Sequence, residues 1–100
     1  MPQLREVLRD PKAFDPSHAL FADKSALGLD SDCLILDADD LEEGEDDPAE
    51  AREAGYDYVL MMDDVNGIIT NLLAQVDQPS DDLRFESFRF YLARDAYIAL

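Results

Sequence analysis

The chain has no tryptophan, one cysteine, one histidine, four glycines and eight lysines and arginines among its 100 residues. Each shortage excludes something. Cys33 alone can close no intrachain disulfide, which suits a reducing, cytoplasmic compartment. Cys33 and His18 are too few to build a structural tetrahedral zinc site. The sparse glycines form no phosphate-cradling loop. No apolar run approaches the roughly 18 residues of a membrane span. The opening Met-Pro-Gln-Leu-Arg-Glu-Val-Leu carries charges where a secretory signal would be apolar, so the chain reads as neither secreted nor membrane-spanning.

What is abundant is carboxylate, and it is unevenly placed. The formal net charge is −16. Residues 1–29 hold four acids and four bases, and residues 65–100 hold five acids and three arginines. Between them, residues 30–64 hold fifteen acids against Arg52, a net of −14. Such a field repels phosphate backbones and anionic lipid, which argues against direct contact with nucleic acid or membrane. It attracts cations and basic proteins, or serves solubility. Apolar residues make up 47 % of the chain, enough for a core to offset chain entropy, so it reads as one folded domain over residues 1–100.

In order along the chain, Leu4, Val7 and Leu8 follow Pro2 at helical spacing, and Asp10-Pro11 ends the helix. Phe14-Asp15-Pro16-Ser17 is turn chemistry. Ala19–Ala22 reads as a short strand. Cys33-Leu34-Ile35-Leu36 is apolar on both faces, as a central, doubly covered strand would be. After the acidic loop at 37–50, Asp47 and Pro48 open a small helix over Ala49–Ala54, with Gly55 as its stop. That helix is mostly polar and is expected against solvent. Tyr56–Met62 is the clearest strand, with Tyr58, Leu60 and Met62 on one face. Asp63 or Asp64 then caps a helix whose Val65, Ile68, Ile69, Leu72, Leu73 and Val76 form one apolar stripe ended by Gln78-Pro79. Ser80 caps the last helix, with Asp81 and Asp82 in its first turn and Arg94 near its end.

The order is therefore α-β-β-α-β-α-α. The economical solution is an α+β domain in which a small three-stranded sheet, mixed or antiparallel, is packed by three to four helices. On the last helix the polar stripe is narrow: Asp82, Glu86, Arg89 and Ala93. Aromatics occupy much of the remaining circumference. Either a second copy of the chain covers one side, through Phe85, Phe88, Tyr91 and Leu92, or the first helix and the Tyr97–Leu100 tail do.

The chemistry that oxygen-rich sequence suggests first is calcium binding, and both possible EF-hand frames fail. Starting at Asp39, Gly44 and Glu50 fall correctly but Leu41 stands where a ligand is needed. Starting at Asp37, Glu42 replaces the turn glycine. Pro48 interrupts either frame. A Cys33–His18 pair is the nucleophile and base that the composition allows, but a cysteine in an apolar run is ordinarily buried and inert. The carboxylates lie in polar sequence, where solvation keeps them ionised, and catalysis would require a desolvated pocket. No cofactor, metal or enzymatic activity is expected. Binding remains. Asp37, Asp39, Asp40, Glu42, Glu43, Glu45, Asp46 and Asp47 are the candidate contacts for a basic protein, either a toxin or a DNA-binding protein, which such a field would steer in.

Asp32-Cys33-Leu34-Ile35-Leu36-Asp37, Ala54-Gly55-Tyr56-Asp57-Tyr58-Val59-Leu60, Asp64-Val65-Asn66-Gly67-Ile68-Ile69-Thr70-Asn71-Leu72 and Tyr91…Asp95-Ala96-Tyr97 together resemble a family of small bacterial proteins of unknown function. Some such families sit near immunity genes of polymorphic toxins. The resemblance spans most of the chain and rests on core positions. It implies a fold, and carries no functional residue over to this chain.

Overall fold

The computed structural model describes residues 1–37 and 49–100. Helix α1 (Leu4–Arg9) leads through a 3-10 turn at Pro11–Ala13 to strand β1 (His18–Ala22), and a second 3-10 turn at Lys24–Ala26 precedes β2 (Leu34–Asp37). Then come α2 (Ala49–Ala54), β3 (Asp57–Met61), α3 (Met62–Gln75) and α4 (Asp81–Arg94). The predicted order is the observed one, in an α+β fold.

The sheet order is β2-β1-β3, and both pairings with β1 are antiparallel. Hence β2 and β3 run the same way on either side of β1, and α2, which lies between them in sequence, packs against the central strand. The central strand is β1, not the Cys33–Leu36 run, and this corrects the expectation from sequence. Short, small-residue β1 is the covered one: Ala19, Leu20, Phe21 and Ala22 are all buried, whereas Leu34, Ile35 and Leu36 are half-buried. Apolarity on both faces reports contact above and below a strand and says nothing about its lateral neighbours.

One face of the sheet carries most of the core. Leu20, Ala22, Val59 and Leu60 pack there with Leu4, Val7 and Leu8 of α1, Val65, Ile68 and Ile69 of α3 and Phe88 of α4. On the opposite face Ala19 and Phe21 meet Ala51 of α2, with Leu34, Leu36, Tyr56 and Met61 around them.

Strict alternation in β3 is broken. Leu20 pairs with Leu60 but Phe21 pairs with Tyr58, so Val59 is an extra residue. Such a bulge sends neighbours Val59 and Leu60 into the same cluster. Alternation puts Tyr58 on the Leu60 face, and the bulge takes it off that face. It lies edge-on to Phe21, ring centroids 6.0 Å apart, and stays 42 % exposed. Met62 is not in the strand at all: it is the buried first residue of α3, with Met61 as the N-cap residue. Asp63 and Asp64 fall in the first helical turn, where the helix dipole favours carboxylates, and not at the cap.

The helix ends follow local chemistry. Gly55 closes α2 with φ +74°, while its N–H reaches the Arg52 carbonyl at 3.1 Å and the Tyr56 N–H reaches that of Ala51 at 2.9 Å. This is a Schellman motif, completed by apolar contact between Tyr56 and Ala51 in one cluster. The Ser80 hydroxyl accepts from the Leu83 N–H at 3.2 Å. The stripe of α3 runs only to Leu72. Leu73 is 46 % exposed, and the helix ends at Gln75 with Val76 as cap, three residues earlier than Gln78.

Candidate binding surfaces

The edge of β2 is the first surface. A groove there is lined by Met1, Pro2, Ala13, Phe14, Asp15, His18 and the run Cys33–Leu36. The turn before β1 shapes one wall: the Asp15 carboxylate accepts from the Ser17 N–H at 2.9 Å and its hydroxyl at 2.8 Å. Those bonds hold the Asp15 carboxyl below its ordinary value, with the nearby His18 a lesser contributor. Although Cys33 and His18 line the same groove, they make no nucleophilic pair. The Cys33 sulfur is fully buried, sits 3.6 Å from the Ser31 carbonyl as donor, and burial pushes its pKa up to about 12. A thiol in that state is not a nucleophile near neutrality.

The acidic segment adjoins this edge in sequence. Of the expected partner contacts, Asp37 closes β2, pairs in register with His18 and is exposed. Asp39, Asp40, Glu42, Glu43, Glu45, Asp46 and Asp47 lie outside the described residues, as do most positions of both calcium frames and the Asp47–Pro48 helix start. Among the described residues, no three of His, Cys, Asp and Glu gather as metal ligands would.

The second surface is the outer side of α4. Asp82, Glu86, Arg89 and Ala93 are all exposed, as the narrow polar stripe predicts. Half-buried Phe85 and Phe90 flank that stripe in a shallow groove completed by Arg94. The Arg89 guanidinium lies 5.6 Å from the Phe85 ring centre and that of Arg94 5.7 Å from Phe90, within cation–π reach. The four candidate interface residues separate here. Phe88 is wholly buried within its own chain and presents no surface to a second copy. Phe85, Tyr91 and Leu92 are partly buried against the same core.

What covers the other side of α4 is the chain itself. Arg9 of α1 grips Asp81 with two parallel bonds, Nε to Oδ1 at 2.9 Å and Nη2 to Oδ2 at 2.5 Å. That grip holds the Asp81 carboxyl below its ordinary value. Tyr97 stacks on Tyr91, ring centres 5.6 Å apart. Removal from water, then the Asp64 and Asp95 charges, raise the Tyr91 phenol above its usual value. Gln75 anchors the tail: its amide donates to the Ile98 carbonyl at 2.9 Å and accepts from the Leu100 N–H at 2.8 Å. Gly67 makes room, since a Cβ there would run into the Tyr97 hydroxyl.

Of the two covers that the sequence offers for the second side of α4, the first helix and the Tyr97–Leu100 tail are the ones observed. Sequence reasoning missed the β2 groove and the seat that Gly67 makes for Tyr97. The first had a faint signal in Met1 and Phe14, apolar residues outside any periodic stripe. The second had one in Gly67, a glycine inside an otherwise strong helix. Among the described residues, no helix is long and apolar enough to cross a membrane.

The fold defines the class: a small α+β domain, its antiparallel three-stranded sheet packed chiefly by helices on one face. Within that class, the chain belongs over residues 1–100 to the family described as Domain of unknown function (DUF7716). No curated protein and no solved structure matches it.

Proposed function

We propose that this is a non-enzymatic acidic binding protein that captures a basic protein partner, most concretely an immunity or inhibitor protein that neutralises a toxin in the bacterial cytoplasm. The observation that carries the reading is the net charge of −14 over residues 30–64. A carboxylate field of that density raises the encounter rate with a cationic surface and opposes binding of nucleic acid itself. Nucleases present lysine and arginine to phosphate, so a toxin of that kind is a natural target. A DNA-binding protein offers the same chemistry, but a DNA mimic would spread its carboxylates at phosphate-like intervals, and here they are focused in one third of the chain.

The test is affinity capture from the native host with wild-type protein and with a variant carrying Glu42→Lys, Glu43→Lys, Asp46→Lys and Asp47→Lys. The expected result is a cationic protein held by the wild type, lost by the variant, and released as salt screens charges beyond about 8–10 Å. Capture unchanged by the reversals sinks the reading. Self-assembly through α4 is the second reading, supported by half-buried Phe85 and Phe90 beside Arg89 and Arg94. Sedimentation decides it: a folded Phe85→Glu or Phe90→Glu variant with the mass of the wild type removes that idea.

A further inference from the structure

We propose that the outer edge of β2 is the place where the basic partner docks, and that it does so with an extended segment of alternating apolar and cationic residues, added as a further strand. This deepens the acidic-capture reading and rests on it.

Three observations converge on this edge. First, among the described residues β2 is an edge strand of the sheet, paired through Leu34–Asp37 with β1 on one side. Edge strands are ordinarily kept short or carry a charge, a proline or a bulge that discourages further pairing; β2 is short and ends on Asp37. Its Leu34-Ile35-Leu36 run carries neither charge nor proline.

Second, the chain already uses this strand direction as a template. The Pro2 carbonyl accepts from the Cys33 N–H at 2.9 Å, the Leu4 N–H donates to the Ser31 carbonyl at 2.8 Å, and Gln3 bridges Asp32 antiparallel. Backbone groups of alternate strand residues share a side, so those of Ile35 are turned as those of Ser31 and Cys33 are, one step beyond this pairing. Third, the apolar groove described above brings Met1, Pro2 and Phe14 together with Ile35 and its strand neighbours. It can take the alternate side chains of an added strand, the part of strand addition that confers specificity.

Charge selects the occupant. A second copy would bring two chains of net −16 edge to edge, with like charges opposed. A cationic segment instead gains from the carboxylates around β2, Asp15 and Asp32 among them, while its apolar residues fill the groove.

The probe is a capped synthetic peptide of alternating valine and lysine, compared with the same peptide N-methylated at its central amides. Methylation keeps charge and composition and removes the donors that strand pairing needs. The expected result is binding weakened by about tenfold or more on methylation, because two backbone hydrogen bonds are lost. The amide resonances of Ile35 and Leu36 are expected to shift with the unmodified peptide, while those of α4 stay in place. Equal affinity for both peptides, lost with salt, overturns strand addition and leaves acidic capture standing. Failure of both peptides to bind at low salt overturns both ideas. A doubled mass with β2 at the contact makes a second copy the occupant, and the proposal falls.

Discussion

Cys33 shows how a single side chain takes its character from its surroundings. Its neighbours in sequence make it apolar, and its burial beneath the N-terminal segment keeps the thiol protonated up to about 12. Native protein is therefore expected to react with iodoacetamide at pH 8 no faster than it unfolds, and the urea-unfolded chain at the rate of an ordinary thiol; mass spectrometry of the adduct reads both. The linkage has a definite sign. An unfolded chain ionises Cys33 from about 9, whereas the folded one resists until about 12, so this contribution to stability is complete below 9 and disappears as pH rises through that window. Cys33→Ala is expected to flatten the alkaline fall. Rapid labelling of folded protein would instead show the thiol to be accessible and would reopen a chemical role for it. Gly67 is the residue-scale counterpart: its missing Cβ is the space that the Tyr97 hydroxyl occupies.

At the scale of elements, α3 is the clearest case of sequence turned into packing. Val65, Ile68, Ile69 and Leu72 are buried along one stripe, while Leu73, which the same periodicity includes, is 46 % exposed. A helix of 3.6 residues per turn drifts around its axis, and Leu73 lies at the margin of the arc that faces the sheet. Leu72→Ala and Ile69→Ala are each expected to cost roughly 2–5 kcal/mol in urea unfolding, and Leu73→Ala about 0.5 kcal/mol or less. Equal costs for Leu72 and Leu73 would show that the stripe continues under some other cover. In β3 the departure from expectation is larger. Alternation places Tyr58 with Leu60, and the Val59 bulge separates them. Nothing local in Tyr-Val-Leu marks a bulge, because the slip is decided by which residues of β1 it must face. The mostly polar α2 reads as a helix facing solvent, and its Glu50, Arg52 and Glu53 are exposed, yet its Ala51 is wholly buried against the sheet. One alanine gives too little periodicity to announce a buried face.

For the whole molecule the question is what ties the helical layer together. The Arg9–Asp81 grip joins α1 to α4 across 72 positions of sequence. The Asp81 carboxyl, held below its ordinary value of 3.8 by Arg9, contributes stability that is present above 3.8 and is lost as pH falls further. Asp81→Asn is therefore expected to be less stable than the wild type at neutral pH, and the difference to shrink as pH falls below 3.8. Urea midpoints at pH 7 and pH 3 measure it, and a difference as large at pH 3 as at pH 7 would assign the effect to packing. The comparison is made against the Asn variant because acidification also relieves repulsion across residues 30–64, and that relief is common to both proteins.

The sequence by itself determined the element order, the helix starts and stops at Ser80 and Gly55, the burial of Leu4, Val7 and Leu8, and the concentration of charge. All of these depend on interactions within a few residues or on composition, and such interactions are visible along one dimension. Only the tertiary structure decided that β1 is central and β2 is an edge, that Val59 bulges, that Phe88 belongs to the chain's own core, and that Tyr97 returns to stack on Tyr91. Each of these depends on which distant segments meet. Hydrophobic periodicity reports that a side chain must leave water and does not name the segment that covers it. For the same reason the candidate site was only half legible. The carboxylates are plain in the sequence, whereas the groove beside β2 exists because Met1, Pro2 and Phe14 are brought to a strand some twenty to thirty positions further along the chain.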